Sequence, residues 1–424
     1  MKVLIVTYYW PPSGGSGVQR WLKFVKYLHD FGIEAIVYTV ANPRYAIADA
    51  SLAKEIPKDV TVLKQPIWEP NNVLHRFKRS TAKESAGFLN PNPSPFGKLL
   101  QYIRANYFIP DARKFWVKPS VKFLTDYLQK NPVDAIITSG PPHSLHLIGL
   151  ELKKKHAVNW ISDFRDPWTE IDYFEQLPLT KRARYLHCSL EKEVLETADA
   201  VLVVGKTMKK KFEHFSSSIH VLTNGFDTEE VAKRVALDTK FSITHIGLMN
   251  ADRNPHAFWR ALKEITEENT SFANDYEVQL VGKIAPEVKD SIRGLELQNV
   301  REIGYVPHKE VKVYQSRSQV LLLAVNNVKS AKGILTGKIF EYLQAKRPIL
   351  AVGPTDGDLA EVIADTNAGV LVDFNDVASM KTALLKMYDL YKGEGLKVHS
   401  KNIQQYHRKN ITKELSEIIN KTIS

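Results

Sequence analysis

The chain of 424 residues has a single cysteine, Cys188, so no internal disulfide can form and a disulfide-stapled scaffold is excluded. Long apolar runs are also missing. The longest, Val320 to Val325, is six residues, against the ~20 that span a bilayer as a helix. The opening run Val3-Leu-Ile-Val6 stops at Thr7 and is soon followed by Pro11-Pro12, which is unlike a secretory signal. These absences together lead us to expect the cytoplasm, or the cytoplasmic face of a membrane. There are no short-period repeats, no low-complexity tract and no His/Cys cluster of metal-ligand spacing. Zinc-finger spacing and an aromatic-basic RNA signature are lacking too, so nucleic acid is not expected as a partner.

What is present is an average globular composition, 44% hydrophobic and 25% charged. At this length two domains are the first expectation. The net charge is +11, with 58 Lys and Arg against 47 Asp and Glu. Residues 51–150 hold 14 basic and 7 acidic residues, a difference of +7 that accounts for most of it. Such a balance suits anionic partners, although basic surface is often only solvated.

Two halves each alternate β-branched runs with helical periodicity. Lys2 to Thr7, Ile33 to Thr39, Val60 to Leu63, Asp134 to Thr138, Val158 to Ser162 and Ala200 to Val204 read as buried parallel strands. Ser242 to Ile246, Tyr276 to Val281, Val320 to Leu323, Pro348 to Val352 and Gly369 to Val372 repeat the pattern after the Asn224-Gly225 turn. The expected class is α/β, with doubly wound parallel sheets. The expected domains are 1–222, carrying an insert at about 67–118, and 223–395. The helical segment 396–424 is expected to pack back on the first.

The first loop, Pro11 to Arg20, carries Gly15 and Gly17 between a strand and a helix. Amides at such a helix start suit phosphate. A dinucleotide fingerprint needs a third glycine, where Arg20 stands, and an acid ending the second strand, where Tyr38-Thr-Val40 stands. A nicotinamide cofactor is therefore disfavoured, and the glycines could serve the turn alone. The segment Gly333 to Ala351 is a short loop, then a helix from about Gly337, then a strand. Amides of Thr336, Gly337 and Lys338 would form an anion site, and Lys338 adds a cation. Glu341, one turn on, could accept hydrogen bonds from a ribose diol, or could simply face solvent.

That segment resembles the nucleotide-sugar signature of retaining glycosyltransferase family 4, of the GT-B fold. The family pattern is Glu-Gly-Phe-Gly, a second Glu, then Ala-Met-Ala-x-Gly-x-Pro-Val-Ile-Ala. Anchoring on Pro348 puts the second Glu at Glu341, and the first falls on Gly333, so this chain lacks it. Gly14-Gly15, Asn224-Gly-Phe-Asp227, the loop His245 to Pro255, Val281-Gly-Lys283 and Val300 to Pro307 resemble further family segments in the same order. The resemblance implies two Rossmann-like domains facing across a cleft, with sugar transferred from a nucleotide diphosphate to a hydroxyl with retention. It places Arg253 and Lys283 beside the diphosphate, with Gly15, Gly17, Thr336, Gly337, Lys338 and Glu341. No cofactor is implied and no metal is expected; Asp356-Gly-Asp358 reads better as a helix N-cap than as a metal site.

On the acceptor side, Ser139 to Ser144 and Ser162 to Trp168 stand at strand ends. His143 could bond substrate, and Asp163 or Asp166 could orient or deprotonate the acceptor hydroxyl. Each could equally be structural. The acceptor would be a glycan or lipid-linked glycan of surface polysaccharide or glycolipid synthesis. The insert, with Trp68, Phe77, Phe108 and Trp116 among Arg76, Lys78, Arg79, Arg104, Arg113, Lys114 and Lys118, would meet an anionic membrane surface. A local core beneath a long loop would produce the same composition. Two other functions share the pattern: a nucleotide-sugar epimerase, and a nucleotide- or glycan-binding protein without catalysis.

Overall fold

A computed structural model describes residues 1–43, 45, 48–69, 94–171, 174–227 and 235–424. The chain forms two compact units. Unit 1 is Met1–Thr223 with Arg408–Ser424, and unit 2 is Asn224–His407.

Unit 1 holds strands β1 Lys2–Val6, β2 Glu34–Val40, β3 Thr61–Gln65, β4 Ala135–Gly140, β5 Asn159–Phe164, β6 Ala200–Val203 and β7 Ile219–Val221. All pair in parallel, in the order β3-β2-β1-β4-β5-β6-β7. The apolar run of β1 is buried on both faces. Leu4 and Val6 enter one core with Ile136 and Trp160, while Val3 and Ile5 enter another with Trp21 and Ile161. That two-sided burial is why the strand is continuously apolar rather than alternating.

Unit 2 repeats the plan with β8 Phe241–Ile246, β9 Tyr276–Val281, β10 Val300–Gly304, β11 Val320–Ala324, β12 Ile349–Val352 and β13 Gly369–Val372. Their order is β10-β9-β8-β11-β12-β13, again parallel. Val320, Leu322 and Ala324 face one core, and Leu321, Leu323 and Val325 the other. In each sheet the winding reverses once, between β1 and β4 and between β8 and β11. Sheets of this kind bind ligands beyond the strand C-termini at those points.

The helix Arg408–Ile423 returns to unit 1 and packs on the helix Ser16–Leu28. Ile411, Leu415 and Ile419 share a core with Val18, Trp21 and Leu22. Residues 396–407 stay with unit 2, where Tyr406 lies against Phe340 at 5.2 Å between rings.

The expected insert departs from an unpatterned loop. Its described part forms the helix Pro95–Tyr107 and the start of the helix Lys114–Lys130. Two of its residues expected at a membrane surface are internal instead. Trp116 is buried and stacked on Tyr38, rings 5.1 Å apart. Arg113 pairs with Glu69 at 2.8 Å and lies over the Tyr8 ring. Both are drawn inward because the helix Lys114–Lys130 covers the sheet, burying Val121 and Leu124 in the same core. Arg76, Phe77, Lys78 and Arg79 lie outside the described residues.

Candidate functional site

In unit 2 the candidate residues gather at the C-terminal ends of β8 and β9. Each strand ends in a glycine at positive φ, Gly247 at 109° and Gly282 at 124°, where a side chain is strained. The two turns interlock, since a Cβ on Gly282 would lie 2.4 Å from the Gly247 carbonyl oxygen. The turns are tied by Gly247 N–H donating to Val281 at 2.7 Å and Met249 N–H donating to Lys283 at 3.0 Å. Lys283 is thus held by its backbone beside the loop that follows β8, with its side chain exposed.

The helix Gly337–Ala345 begins at the same place. Tyr342 in its second turn accepts a hydrogen bond from Ile246 N–H at 3.2 Å, which docks the helix on the end of β8. Lys338 lies across Gly247, where a Cβ would come within 2.7 Å of its Cε. A side chain at Gly247 would displace the end of Lys338, and the φ of 109° would strain it besides. Arg253 donates to the Asn326 side chain at 3.1 Å and to the Leu248 carbonyl at 3.0 Å, which fixes its guanidinium. Glu341 accepts from Gln315 at 3.1 Å. Thr336 stands at the N-cap with its hydroxyl oxygen buried and unpartnered, and makes no side-chain cap.

The electrostatics are those of an anion site. Protein atoms crowd the Lys338 ammonium, and this desolvation, with the Arg253 charge, lowers its pKa to about 7 against a smaller opposing effect of Glu341. His245, fully buried in β8, is held well below its ordinary value by burial and then by Lys338 and Arg253. It is therefore neutral and adds no further charge. Two basic side chains and a helix start brought together, with Glu341 the weaker influence on Lys338, fit a diphosphate.

In unit 1 the candidates separate. Gly15 caps the helix Ser16–Leu28 at φ 86°, and the Gly17 carbonyl accepts from Arg165 at 3.0 Å. Arg165 also donates to the Pro141 carbonyl and lies over the Tyr9 ring, so it binds the glycine loop to the loop after β4. His143 is almost fully buried and stacks on Trp168 at 5.2 Å between rings. Burial first, then neighbouring His146, hold it well below its usual pKa, so it is a neutral imidazole.

Asp163 is a correction. It has no exposed surface, and it accepts from Arg20 Nη2 at 2.9 Å, Trp21 Nε1 at 2.8 Å and Ser139 Oγ at 2.9 Å. A carboxylate with both oxygens so occupied and no access to a substrate cannot take a hydroxyl proton. It cross-links three elements of unit 1. Asp166 is exposed at the mouth of the same loop and interacts electrostatically with Arg165. The Asp356-Gly-Asp358 expectation also changes. Gly357 is the N-cap, no side chain caps the helix Asp358–Thr366, and Asp356 pairs with Lys332 at 2.5 Å. Among the described residues, no group of three or more His, Cys, Asp or Glu is placed to hold a metal ion.

Sequence reasoning included His245 and Gly247 only within a family-like loop and singled out neither as a site residue, nor Tyr342 or Gln315. A glycine directly after β8 was a legible signal. The other three act through contacts from distant segments and leave no local trace.

Solved structures share this architecture over nearly the whole chain. One is described as the lipopolysaccharide outer core galactosyltransferase WaaB, 13% identical, covering 99% of this chain and 99% of that one, with a TM-score of 0.58. An E. coli structure described as trehalose-6-phosphate bound with UDP-2-fluoro glucose is 10% identical, covers 100% and 96%, and has a TM-score of 0.59. The fold is GT-B. The UDP-GlcNAc 2-epimerase of Methanocaldococcus jannaschii shares it too, at 12% identity, coverage of 99% and 100%, and a TM-score of 0.53. Within this GT-B chain, residues 240–389 match the family model for Glycosyl transferases group 1. That match spans the loops after β8 and β9, the helix Gly337–Ala345 and every candidate cation of unit 2. No curated protein matches by sequence.

Proposed function

We propose that the protein transfers a hexosyl group from a nucleoside-diphosphate sugar to a hydroxyl of a glycan or lipid-linked glycan, with retention at the anomeric carbon. The observation that carries this reading is the meeting of Lys338, Arg253 and the helix start at Gly337, inside the segment that matches the group 1 glycosyl transferases. The bond between the anomeric carbon and the diphosphate breaks, and negative charge grows on the departing oxygen. Groups fixed in advance around that charge lower the barrier, the largest contribution in many enzymes. Glu341 holds the ribose diol. The acceptor oxygen bonds to the anomeric carbon and its proton leaves with the nucleoside diphosphate. Unit 1 takes the acceptor, with His143 as a neutral hydrogen-bond partner and Asp166 beside the loop of Arg165.

The test is release of UDP or GDP from nucleotide sugars, in EDTA, with and without glycan acceptors. Transfer that continues in EDTA, together with donor affinity reduced about tenfold or more in Glu341→Ala, is the expected outcome. Conversion of the donor to its epimer would point to the epimerase chemistry of the same fold. Binding with no turnover under any acceptor would leave a nucleotide-binding protein. Full activity lost in EDTA and restored by Mg²⁺ would sink the cation-based mechanism.

A further inference from the structure

The helix Pro95–Tyr107 is built inside out. Phe96, Leu99, Ile103 and Tyr107 recur at three, four and four residues, one stripe of a helix. That stripe faces solvent, with Phe96, Leu99 and Tyr107 exposed to 57%, 54% and 65%. The small Ala105, on the opposite side, is the residue the helix buries. A surface helix normally does the reverse, so among the described residues its apolar stripe has no partner.

The patch continues beyond the helix. Trp68 is 55% exposed and meets Phe115 edge to face at 4.9 Å, and Phe108 packs on the same Phe115 at 5.7 Å. The neighbouring helix Lys181–Thr197 is joined through Asn106, which accepts from Thr180 N–H at 2.7 Å. It adds exposed Tyr185 and Leu186.

The charge of this stretch of chain is largely of one sign. Residues 94–122 contain six Lys or Arg and a single acid, Asp111. That acid is turned inward to Ser144, accepting from its amide and its hydroxyl at 2.9 Å each. Glu69, the acid nearest Trp68 in sequence, is tied to Arg113 and Tyr8. The exposed Lys98, Arg104 and Lys118 therefore have no acidic residue in this stretch to neutralise their field, while Lys122 stands one turn before the exposed Asp126. A helix with apolar residues outward, flanked by cations and tryptophan, matches the interfacial region of a bilayer bearing anionic headgroups.

We infer that this face, the helix Pro95–Tyr107 with the Trp68–Phe115 pair, seats unit 1 on an anionic lipid bilayer. It lies flat at the headgroup level and nothing crosses the membrane. Among the described residues, no helix is long and apolar enough to do so. The inference stands apart from the transferase reading, because lipid binding is measured without turnover. Failure of either leaves the other in place.

Tryptophan makes the test direct. Of the seven tryptophans, Trp10, Trp21, Trp116, Trp160, Trp168 and Trp259 are buried and Trp68 alone is exposed. The full chain is mixed with vesicles of phosphatidylcholine, or of phosphatidylcholine with phosphatidylglycerol, whose acyl chains are brominated. The expected result is fluorescence quenching on anionic vesicles only, lost in high salt and abolished in Trp68→Phe, a change small enough to leave the fold. Sedimentation with anionic vesicles should drop at least tenfold in a Phe96→Ser, Leu99→Ser variant and stay unchanged in Leu390→Ser, an exposed leucine of unit 2. Unquenched wild-type fluorescence, or equal sedimentation of wild type and double variant, would overturn the inference. So would a dimer that ignores vesicles and falls to monomer in the double variant, which would assign the face to a second copy.

Discussion

In the proposed donor site, Lys338 would serve binding at the expense of the empty protein. Its folded pKa of about 7 lies below the ordinary 10.5. Between those values the unfolded chain binds a proton that the folded one does not, so the residue makes stability rise with pH above about 7. Below 7 the crowded ammonium is charged and unfavourable in the free protein. A bound diphosphate reverses that preference. Lys338→Met should therefore raise the melting temperature of the ligand-free protein at pH 6 and lower its affinity for nucleoside diphosphate there. By pH 9 the affinity difference should narrow, because wild-type Lys338 has lost its proton in the free protein. Calorimetric titration at the two pH values checks both signs. Asp163 offers the contrast. Asp163→Asn leaves Arg20 charged and buried without its anion, a loss of about 3–5 kcal/mol. Urea unfolding should record it as a lower midpoint, whereas a catalytic role would cut turnover and leave the midpoint alone.

At the scale of elements, the return helix Arg408–Ile423 is held by three apolar residues one or two turns apart. Leu415 has no exposed surface, so Leu415→Ala should cost about 2–5 kcal/mol of unit 1 stability, measurable by urea unfolding. Elements with strong periodicity were legible in the sequence. The strands β1 and β11 are apolar on both faces, and a run such as Val320-Leu-Leu-Leu-Ala324 is what a strand buried on both sides of a parallel sheet requires. The edge strand β7, three residues of which only Ile219 is fully buried, gave no such signal. Nor did the helix Pro95–Tyr107, whose apolar stripe was visible but whose outward orientation depends on what the rest of unit 1 leaves uncovered. Lys338 and Glu341 could be proposed as donor residues because they lie within about one turn of the helix start at Gly337, whereas Arg253 and Lys283 stand in other loops and entered only through the family resemblance. Asp163 could not be judged, because its partners Arg20, Trp21 and Ser139 stand 24 to 143 residues away.

For the whole molecule, the chain passes between the units twice, after Thr223 and again after His407. Unit 2 is therefore one uninterrupted stretch and unit 1 is two. The fragment 224–407 should fold alone, giving a cooperative thermal transition by circular dichroism. The fragment 1–223 lacks the helix that covers Val18, Trp21 and Leu22 and should show exposed apolar surface by dye binding until a peptide of residues 408–424 is added. This interleaving sets an order of assembly on the ribosome. The half of the molecule made first is the half that closes last, since its final core residues, Ile411, Leu415 and Ile419, are synthesised only after all of unit 2. During that interval the nascent chain carries an open hydrophobic groove along the helix Ser16–Leu28. It is then a client for chaperones, and for premature pairing with a neighbour's C-terminal helix.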